Sequence, residues 1–374
     1  MAGKAGKSRI IRPSALGAPS LGSRTALGQI SRRKEPENFE FSFPTLNEYL
    51  TPNEQFYVRS HFSKPAIKLK SWRLRVEGAV EKEVAFSLGQ LMKMPAEKRA
   101  VTLECAGNGR VFLAPKVAGD PWELGAVSNA EWTGVRLADV LAQAGLKSEA
   151  VEIILVGADE GEPDDPPKPP GKIHYARGVP VSKLDDVLLA YEMNGEALPD
   201  SHGAPLRAVV GGWYGMASVK WLTRVVVINR PFRGYFQSVD YSYWEEEAGM
   251  PIRVPITEMK VKAQISRPAL HEVVPAGSDY RIAGAAWSGD SDVAKVEIST
   301  DGGKSYAKAK LLGEAVRHAW RFWEYFWKTP ASPGTCTLMA RATDSAGIEQ
   351  PAEREKKYGN YVIWHTLPVE VHVG

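Results

Sequence analysis

The stretch VTLECAGNGR, residues 101–110, contains one of only two cysteines in a chain of 374 residues. An apolar, strand-like run ends at Glu104 and Cys105, and a turn rich in glycine follows before Arg110. Glycine lets the backbone turn sharply and expose the sulfur, and the charge of Arg110 favours thiolate over thiol. An exposed thiolate attacks an electrophile or binds a soft metal. The residues alone leave one alternative open, a cysteine packed at a strand end with Gly and Asn serving only the turn.

The residues on both sides of this stretch predict a mixed α+β domain over residues 41–250. Apolar runs such as VEIILVGAD and VKWLTRVVVI are typical of buried strands. The segment VRLADVLAQAGL, residues 135–146, predicts a helix because three apolar residues share one helical face: Leu137, Val140 and Leu141. Residues 160–172, EGEPDDPPKPPGK, contain five prolines and predict an irregular surface segment.

After this domain the pattern becomes one of strands alone. Short alternating runs such as YRIAGAAWS, RFWEYFW and TCTLMARATDSAG are separated by turns, and Asp301-Gly302 is a hairpin signal. About seven strands over this length predict an immunoglobulin-like β-sandwich at residues 251–374. Cys336 lies in one of these runs and reads as a small core residue.

Charge and hydropathy restrict the class of protein. The net charge of +3 is too small to predict nucleic-acid binding, and no apolar run is long enough to predict a membrane span. Residues 1–34 carry many Lys and Arg and no Asp or Glu, so residues 1–40 are predicted to be a basic, disordered tail. Arg32-Arg33 is not followed by an apolar segment, so no export signal is predicted. The expected location is cytoplasmic, or periplasmic if the N-terminus has been trimmed.

Motifs of several other enzyme classes do not occur in the sequence. It contains no phosphate-binding loop, no dinucleotide-binding G-x-G-x-x-G, no H-E-x-x-H and no C-x-x-C. The chemistry is therefore expected around Cys105.

The motif LECAGNGR, followed by PWELGAVSNAEWTGVRL, resembles the molybdenum-pterin domain of the sulfite oxidase family. FYVRSHF, LLAYEMNGEALPDSHGAPLR and SVKWL are similar to further segments of that domain, in the same order. WSG, VEISTDGGKSY, RATDSAG and NYVIWHTLPVEV resemble the family's immunoglobulin-like dimerisation domain. The likeness covers residues 41–374.

The resemblance implies a role for each matching residue. Cys105 matches the ligand of molybdenum, and Arg59 and Arg110 match the arginines that bind the substrate. Trp122 matches a tryptophan of the substrate pocket, and Tyr241 matches a tyrosine near the metal, although Tyr243 is a close alternative. The implied cofactor-binding set is Tyr57, Val58, Arg59, His61, Cys105, Asp159, His202, Arg207, Ser218, Val219 and Lys220. Taken singly, each of these residues also has a structural interpretation. His61 could be a buried structural histidine, His202 and Arg207 could form a surface network, and Lys220 could be a solvated strand residue.

The implied reaction is the oxidation of sulfite to sulfate by oxygen-atom transfer at a cysteine-ligated molybdenum cofactor. No His-Pro-Gly-Gly haem element precedes Phe39, so no haem is expected in this chain. The electrons are therefore expected to pass one at a time to an external acceptor such as a cytochrome c. The family often places an arginine of the dimerisation domain near the substrate, where this chain offers Lys356 or Lys357. A homodimer through the C-terminal domain is implied. The alternatives are a nitrate reductase, a dehydrogenase of other sulfur compounds, or an assembly protein that has lost catalysis.

Overall fold

The structure is a computed structural model that describes residues 28–164 and 166–374. It consists mainly of β-strands, and its two α-helices within those residues are short: α1 (Leu88–Leu91) and α2 (Leu137–Ala142). Helix α2 forms where the apolar spacing predicts it, and its three apolar residues are fully buried. No helix in the described ranges is both long and apolar enough to cross a bilayer.

The N-terminal part of the described chain is built from fifteen strands in four sheets. The strands are β1 (Ile30–Arg33), β2 (Asn38–Glu40), β3 (Val58–Arg59), β4 (Leu74–Gly78), β5 (Val84–Phe86), β6 (Glu97–Glu104), β7 (Val127–Arg136), β8 (Glu152–Gly161), β9 (Ile173–Pro180), β10 (Val187–Met193), β11 (Glu196–Ala197), β12 (Arg207–Val210), β13 (Leu222–Ile228), β14 (Ser242–Glu247) and β15 (Met250–Pro255).

Two five-stranded sheets form the core of this part. One has the order β11-β10-β7-β6, with β12 also paired to β10, and the other has the order β5-β4-β13-β8-β9. Strands β7 and β10 are buried on both faces, which explains why they read as apolar runs rather than as alternating ones. The proline-rich segment joins β8 to β9, which pair antiparallel. The first sheet carries Cys105 at the end of β6 and Arg207 at the start of β12.

The C-terminal part is a sandwich of two sheets, as predicted. The sheets have the orders β16-β18-β22-β21 and β17-β24-β23-β19-β20. The strands are β16 (Lys262–Arg267), β17 (Val273–Val274), β18 (Asp279–Trp287), β19 (Val293–Ser299), β20 (Ala307–Lys308), β21 (Lys310–Leu311), β22 (Arg321–Lys328), β23 (Gly334–Asp344) and β24 (Val369–Val373). In β23 buried and less buried residues alternate, so one face of the strand points into the sandwich. Cys336 lies in this strand, partly buried and free of any disulfide.

The prediction of a disordered tail over residues 1–40 is wrong for its last part, because β1 and β2 pair there. Arg32 forms a buried ion pair with Glu40 and a second ion pair with Glu123 at 2.9 Å. Ion pairing orders this segment, whereas the prediction considered only how little apolar surface it can bury. Residues 1–27 of the predicted tail lie outside the described residues.

Candidate active site

The loop that holds Cys105 is fixed by its own hydrogen bonds. The Cys105 amide donates to the carbonyl oxygen of Ala126 at 2.8 Å, and the Asn108 amide donates to the Cys105 carbonyl oxygen at 2.8 Å. The Asn108 side-chain oxygen accepts from the Ala126 amide at 3.2 Å. The sulfur therefore has a defined position at the end of β6.

The second domain anchors this loop through Glu104, the residue before the cysteine. The Glu104 carboxylate accepts hydrogen bonds from Lys262 at 2.9 Å, Trp287 at 2.8 Å and Asn108 at 3.0 Å. All four residues are buried. Lys262 and Trp287 belong to β16 and β18, so the sandwich is tied directly to the cysteine loop.

Cys105 lines a cleft in the first domain, whose empty space, open solvent included, is about 630 Å³. Its side chain is buried, and burial raises the pKa of the thiol although Arg110 and Arg59 act in the opposite direction. The expectation of an exposed sulfur with a lowered pKa is therefore wrong for the protein without a bound metal. A metal that binds here must displace the proton from the thiol.

The cleft brings together most of the residues implied by the resemblance. Eleven of them line it: Tyr57, Val58, Arg59, His61, Cys105, Asp159, His202, Arg207, Ser218, Lys220 and Tyr241. Val219, Arg110 and Trp122 are buried beside these residues but are not part of the lining. The indole nitrogen of Trp122 has no hydrogen-bond partner among the described residues.

Arg110 is held rigidly by backbone groups. Its guanidinium donates to the carbonyl oxygens of Asp120 at 2.7 Å and Asn360 at 3.1 Å. A Cβ added at Gly107 would come within 2.2 Å of the guanidinium, and one added at Gly119, where φ is +108°, would come within 2.8 Å. These glycines therefore make room for Arg110, whereas the sequence suggested that the loop glycines serve the turn and the cofactor.

Tyr241 and His61 form a hydrogen-bonded pair in the cleft, with 2.6 Å between the tyrosine oxygen and Nε2. Burial and the neighbouring Arg59 lower the pKa of His61 well below its usual value, and burial raises the pKa of Tyr241. The pair is therefore a neutral imidazole and a protonated phenol at neutral pH. Tyr243 lies elsewhere and packs against Tyr358, with 4.7 Å between the ring centres.

The far end of the cleft is cationic. Arg207 is buried and donates to the carbonyl oxygens of His202 at 2.9 Å and Ser218 at 3.1 Å, so its charge is not neutralised by these contacts. Burial lowers the pKa of Arg207 to about 10. The pKa of Lys220 is also lowered, mainly by burial and secondly by the positive charge of Arg207. Asp159 is buried with one carboxylate oxygen that makes no hydrogen bond to any described residue. Arg207, which forms no ion pair with a described carboxylate, lies in the same cleft as Lys220 and the unpaired oxygen of Asp159, and this set fits a ligand that carries both a phosphate and N–H donors, as a phosphorylated pterin does.

Comparison with known proteins agrees with this geometry. The oxidoreductase molybdopterin binding domain family matches residues 61–236, and the Mo-co oxidoreductase dimerisation domain family matches residues 253–371. Sulfite oxidase from Gallus gallus is 36% identical over 85% of this chain and 72% of that protein. The mitochondrial sulfite oxidase from Homo sapiens is also 36% identical over 85% of this chain, which spans 60% of that protein.

The chain belongs to the sulfite oxidase family. It contains the family's molybdopterin-binding oxidoreductase domain followed by the dimerisation domain. The structure of the sulfane dehydrogenase SoxCD from Paracoccus pantotrophus is similar over 98% of this chain and 92% of that one, with a TM-score of 0.78 and 26% identity.

Some residues of this sulfite oxidase-like cleft were not predicted from the sequence. Ser60 accepts a hydrogen bond from Lys220 at 2.7 Å, and Tyr175 stacks on His61 with 4.5 Å between the ring centres. Ser60 lies between Arg59 and His61 in the sequence, so its position in that motif could have predicted that it lies in the cleft. Tyr175 follows the proline-rich segment in β9, where no motif marks it.

The lysines proposed in place of a family arginine do not line the cleft. Lys357 pairs with Glu245 at 3.1 Å and lies near Tyr243 and Tyr358. Two other residues of the second domain come closer to the site. Tyr361 packs on Tyr241 with 4.8 Å between the ring centres, and Asn360 accepts the hydrogen bond from Arg110.

Proposed function

We propose that this protein oxidises sulfite to sulfate at a molybdenum cofactor bound in the cleft beside Cys105. The observation that supports this most strongly is the composition of the cleft: one buried thiol, two arginines close to it and a separate cationic end. A small oxyanion and a large phosphorylated cofactor need these two regions, and Arg59, Cys105, Arg207 and Lys220 line one cleft, with Arg110 buried beside it.

The first region handles the substrate. Cys105 would supply the protein's sulfur ligand, since thiolates suit soft, high-valent metals. Arg59 and Arg110 would bind the oxyanion through charge-assisted hydrogen bonds. Tyr241, held by His61, would present a protonated phenol to the reacting oxygen, and Trp122 would close the wall behind Arg110.

The second region would hold the pterin. His202, Arg207 and Lys220 would bind its phosphate, and the unpaired oxygen of Asp159 would accept from its ring nitrogens. Tyr57, Val58, Ser218 and Val219 would shape the walls. When bound, the molybdenum cofactor supplies the oxygen-atom transfer and accepts two electrons.

The electrons would pass singly to a separate acceptor such as a cytochrome c, and the protein would act as a homodimer through the sandwich domain. The match of residues 253–371 to a dimerisation domain supports the dimer. The domain boundaries at residues 41, 250 and 251 remain predictions.

A second candidate is the oxidation of a sulfane-sulfur compound on the same cofactor. The similarity to the sulfane dehydrogenase SoxCD over nearly the whole chain favours it. The two candidates share cofactor and fold and differ only in the substrate that reaches the two arginines.

One preparation separates these candidates. The full chain is expressed with molybdate, its bound molybdenum and pterin are measured, and turnover of sulfite, thiosulfate and nitrate is assayed with matching redox dyes and with cytochrome c. We expect about one molybdenum per chain and sulfite-dependent reduction of ferricyanide. Turnover of thiosulfate without sulfite would favour the second candidate, turnover of nitrate alone would indicate a nitrate reductase, and a protein without pterin would refute all three.

A further inference from the structure

Asp120 connects three arginines at the substrate side of the cleft. Its carboxylate lies 3.2 Å from Nε of Arg33 and 3.7 Å from Nε of Arg59, and its carbonyl oxygen accepts from Arg110 at 2.7 Å. The Asp120 side chain is only 6% exposed, so these contacts are shielded from water. One residue thus touches both arginines proposed to bind the substrate and a third one from β1.

A carboxylate in this position has a cost and a use. It repels an anionic substrate, but it also attracts the guanidinium groups of Arg33 and Arg59 and so restricts their directions, together with the hydrogen bonds of Arg59 to Asn38 and Ser60. Arg33 offsets the repulsion, because three arginines and the Asp120 carboxylate leave this four-residue cluster with two net positive charges, although the second partner of Arg33, Asp164, cancels one of them. Without Arg33 the cluster would carry only one.

We propose that Arg33 is a third substrate-binding cation of this site and that the Asp120 carboxylate is the positioning group for Arg33 and Arg59. This inference rests on the proposed function in one respect, which is that the substrate is a small oxyanion. It assigns a binding role to strand β1, which lies outside the segment that matches the molybdopterin-binding family.

Arg33 does not line the cleft itself but lies behind the lining residue Arg59, to which the Asp120 carboxylate connects it. Its side chain is 40% exposed, whereas that of Arg59 is 24% exposed, so Arg33 is the more accessible of the two from solvent. Its second ion pair, at 3.1 Å, is with Asp164 in the proline-rich segment. Arg33 is also one of the charges, after burial, Arg59, Lys220 and Arg177, that lower the pKa of His61 in the cleft. Its field therefore reaches the site.

The test compares variants of the molybdenum-loaded full chain. Arg33→Gln should raise KM for sulfite about three- to tenfold, as expected for one charge removed near an anion at a screened, partly exposed position, and kcat should stay within about twofold. Arg33→Lys should restore part of the affinity. The matched control is Lys34→Gln, which removes the same charge from the adjacent, exposed residue and should leave KM unchanged.

Asp120→Asn separates positioning from simple electrostatics, because the two predict opposite signs. If Asp120 only repelled the substrate, its neutralisation would lower KM. If it positions Arg59 and Arg33, KM should rise at least about threefold despite the more positive cluster. A lowered KM in Asp120→Asn overturns the positioning role.

A second measurement keeps this inference distinct from the proposed function. Binding of inorganic sulfate to the same loaded proteins is measured by calorimetry, which needs no turnover. Weaker sulfate binding by Arg33→Gln than by Lys34→Gln supports the inference even if sulfite is not oxidised. An unchanged KM and an unchanged sulfate affinity in Arg33→Gln, with a wild-type protein that oxidises sulfite, overturn the inference and leave the function standing.

Discussion

Cys105 and Cys336 carry the same thiol in opposite surroundings, and this difference gives the first prediction at the residue scale. Cys105 borders a cleft with arginines nearby, whereas Cys336 lies in a strand of the sandwich. Cys105→Ser should lower sulfite turnover by more than about 100-fold, because losing a metal ligand should exceed the 10–100-fold effect of losing a residue that supports one. The bound pterin should remain, since other residues hold it.

Cys336→Ser is the matched control, with the same chemical change and an expected turnover near that of the wild type. Activity and pterin content are measured on both variants. Turnover by Cys105→Ser equal to that of Cys336→Ser would contradict the ligand assignment.

His202 gives a pH prediction at the same scale. Burial lowers its pKa from 6.5 to about 3, and its Nε2 must donate to the carbonyl oxygen of Asn53 at 2.9 Å. Protonation therefore favours the unfolded chain, so the contribution of His202 to stability is complete above pH 6.5 and is lost as the pH falls towards 3. Between pH 6.5 and 5.5 it should cost about 1 kcal/mol of unfolding free energy.

Urea unfolding of the metal-free protein at these two pH values tests this. Between pH 6.5 and 5.5, His202→Gln should lose about 1 kcal/mol less unfolding free energy than the wild type loses. His174→Gln removes a half-exposed histidine and should lose as much as the wild type. Equal losses in all three proteins would show that His202 is not the group that titrates.

At the scale of elements, the pairing of β7 with β10 supports the sheet that carries Cys105 and Arg207. Gly134 of β7 has no side chain, and a Cβ there would come within 2.1 Å of the carbonyl oxygen of Leu189 in β10. Gly134→Ala should therefore push the strands apart and lower the unfolding free energy by about 1–3 kcal/mol. Gly334→Ala, in β23, meets no atom within 4 Å and should change it by less than about 0.5 kcal/mol. Denaturant unfolding of both variants is the measurement, and similar midpoints would refute the steric argument.

The elements also show which parts of the fold the sequence could predict. Helix α2 and the sandwich strands follow from apolar spacing, because burial of one face is what that spacing encodes. Strands β1 and β2 do not, because the ion pair of Arg32 with Glu123 joins residues far apart in sequence. A composition argument treats such charges as solvated, and only the three-dimensional contacts show that they are not.

The site divides in the same way. The motif around Cys105 and the matching segments predicted eleven lining residues, because each motif is contiguous in sequence. The role of Asp120 and the approach of Tyr361 depend on contacts between distant segments, so no local pattern contains them. The burial of the thiol was missed for a related reason, since Gly107 of the turn is covered by the side chain of Arg110 and Gly109 by that of Ile363.

At the scale of the whole molecule, the two domains are joined through the residue next to the cysteine. Glu104 and Lys262 are each about 2% exposed and form a buried ion pair across the domain boundary. Such a pair adds little net stability compared with two apolar residues, but removing one partner leaves an uncompensated buried charge. The position of the cysteine loop should therefore depend on the second domain.

Lys262→Met tests this dependence. It should lower the unfolding free energy by about 3–5 kcal/mol, because Glu104 loses its cation inside the protein. Lys357→Met breaks the exposed pair with Glu245 and should cost at most about 1 kcal/mol. Adding Glu104→Gln to Lys262→Met should recover part of the loss, since it removes the unpaired charge. Because Glu104 precedes the proposed ligand, Lys262→Met should also lower the molybdenum content after expression with molybdate, whereas Lys357→Met should not. Equal stability and equal metal content in the two variants would mean that the sandwich does not hold the cysteine loop in place.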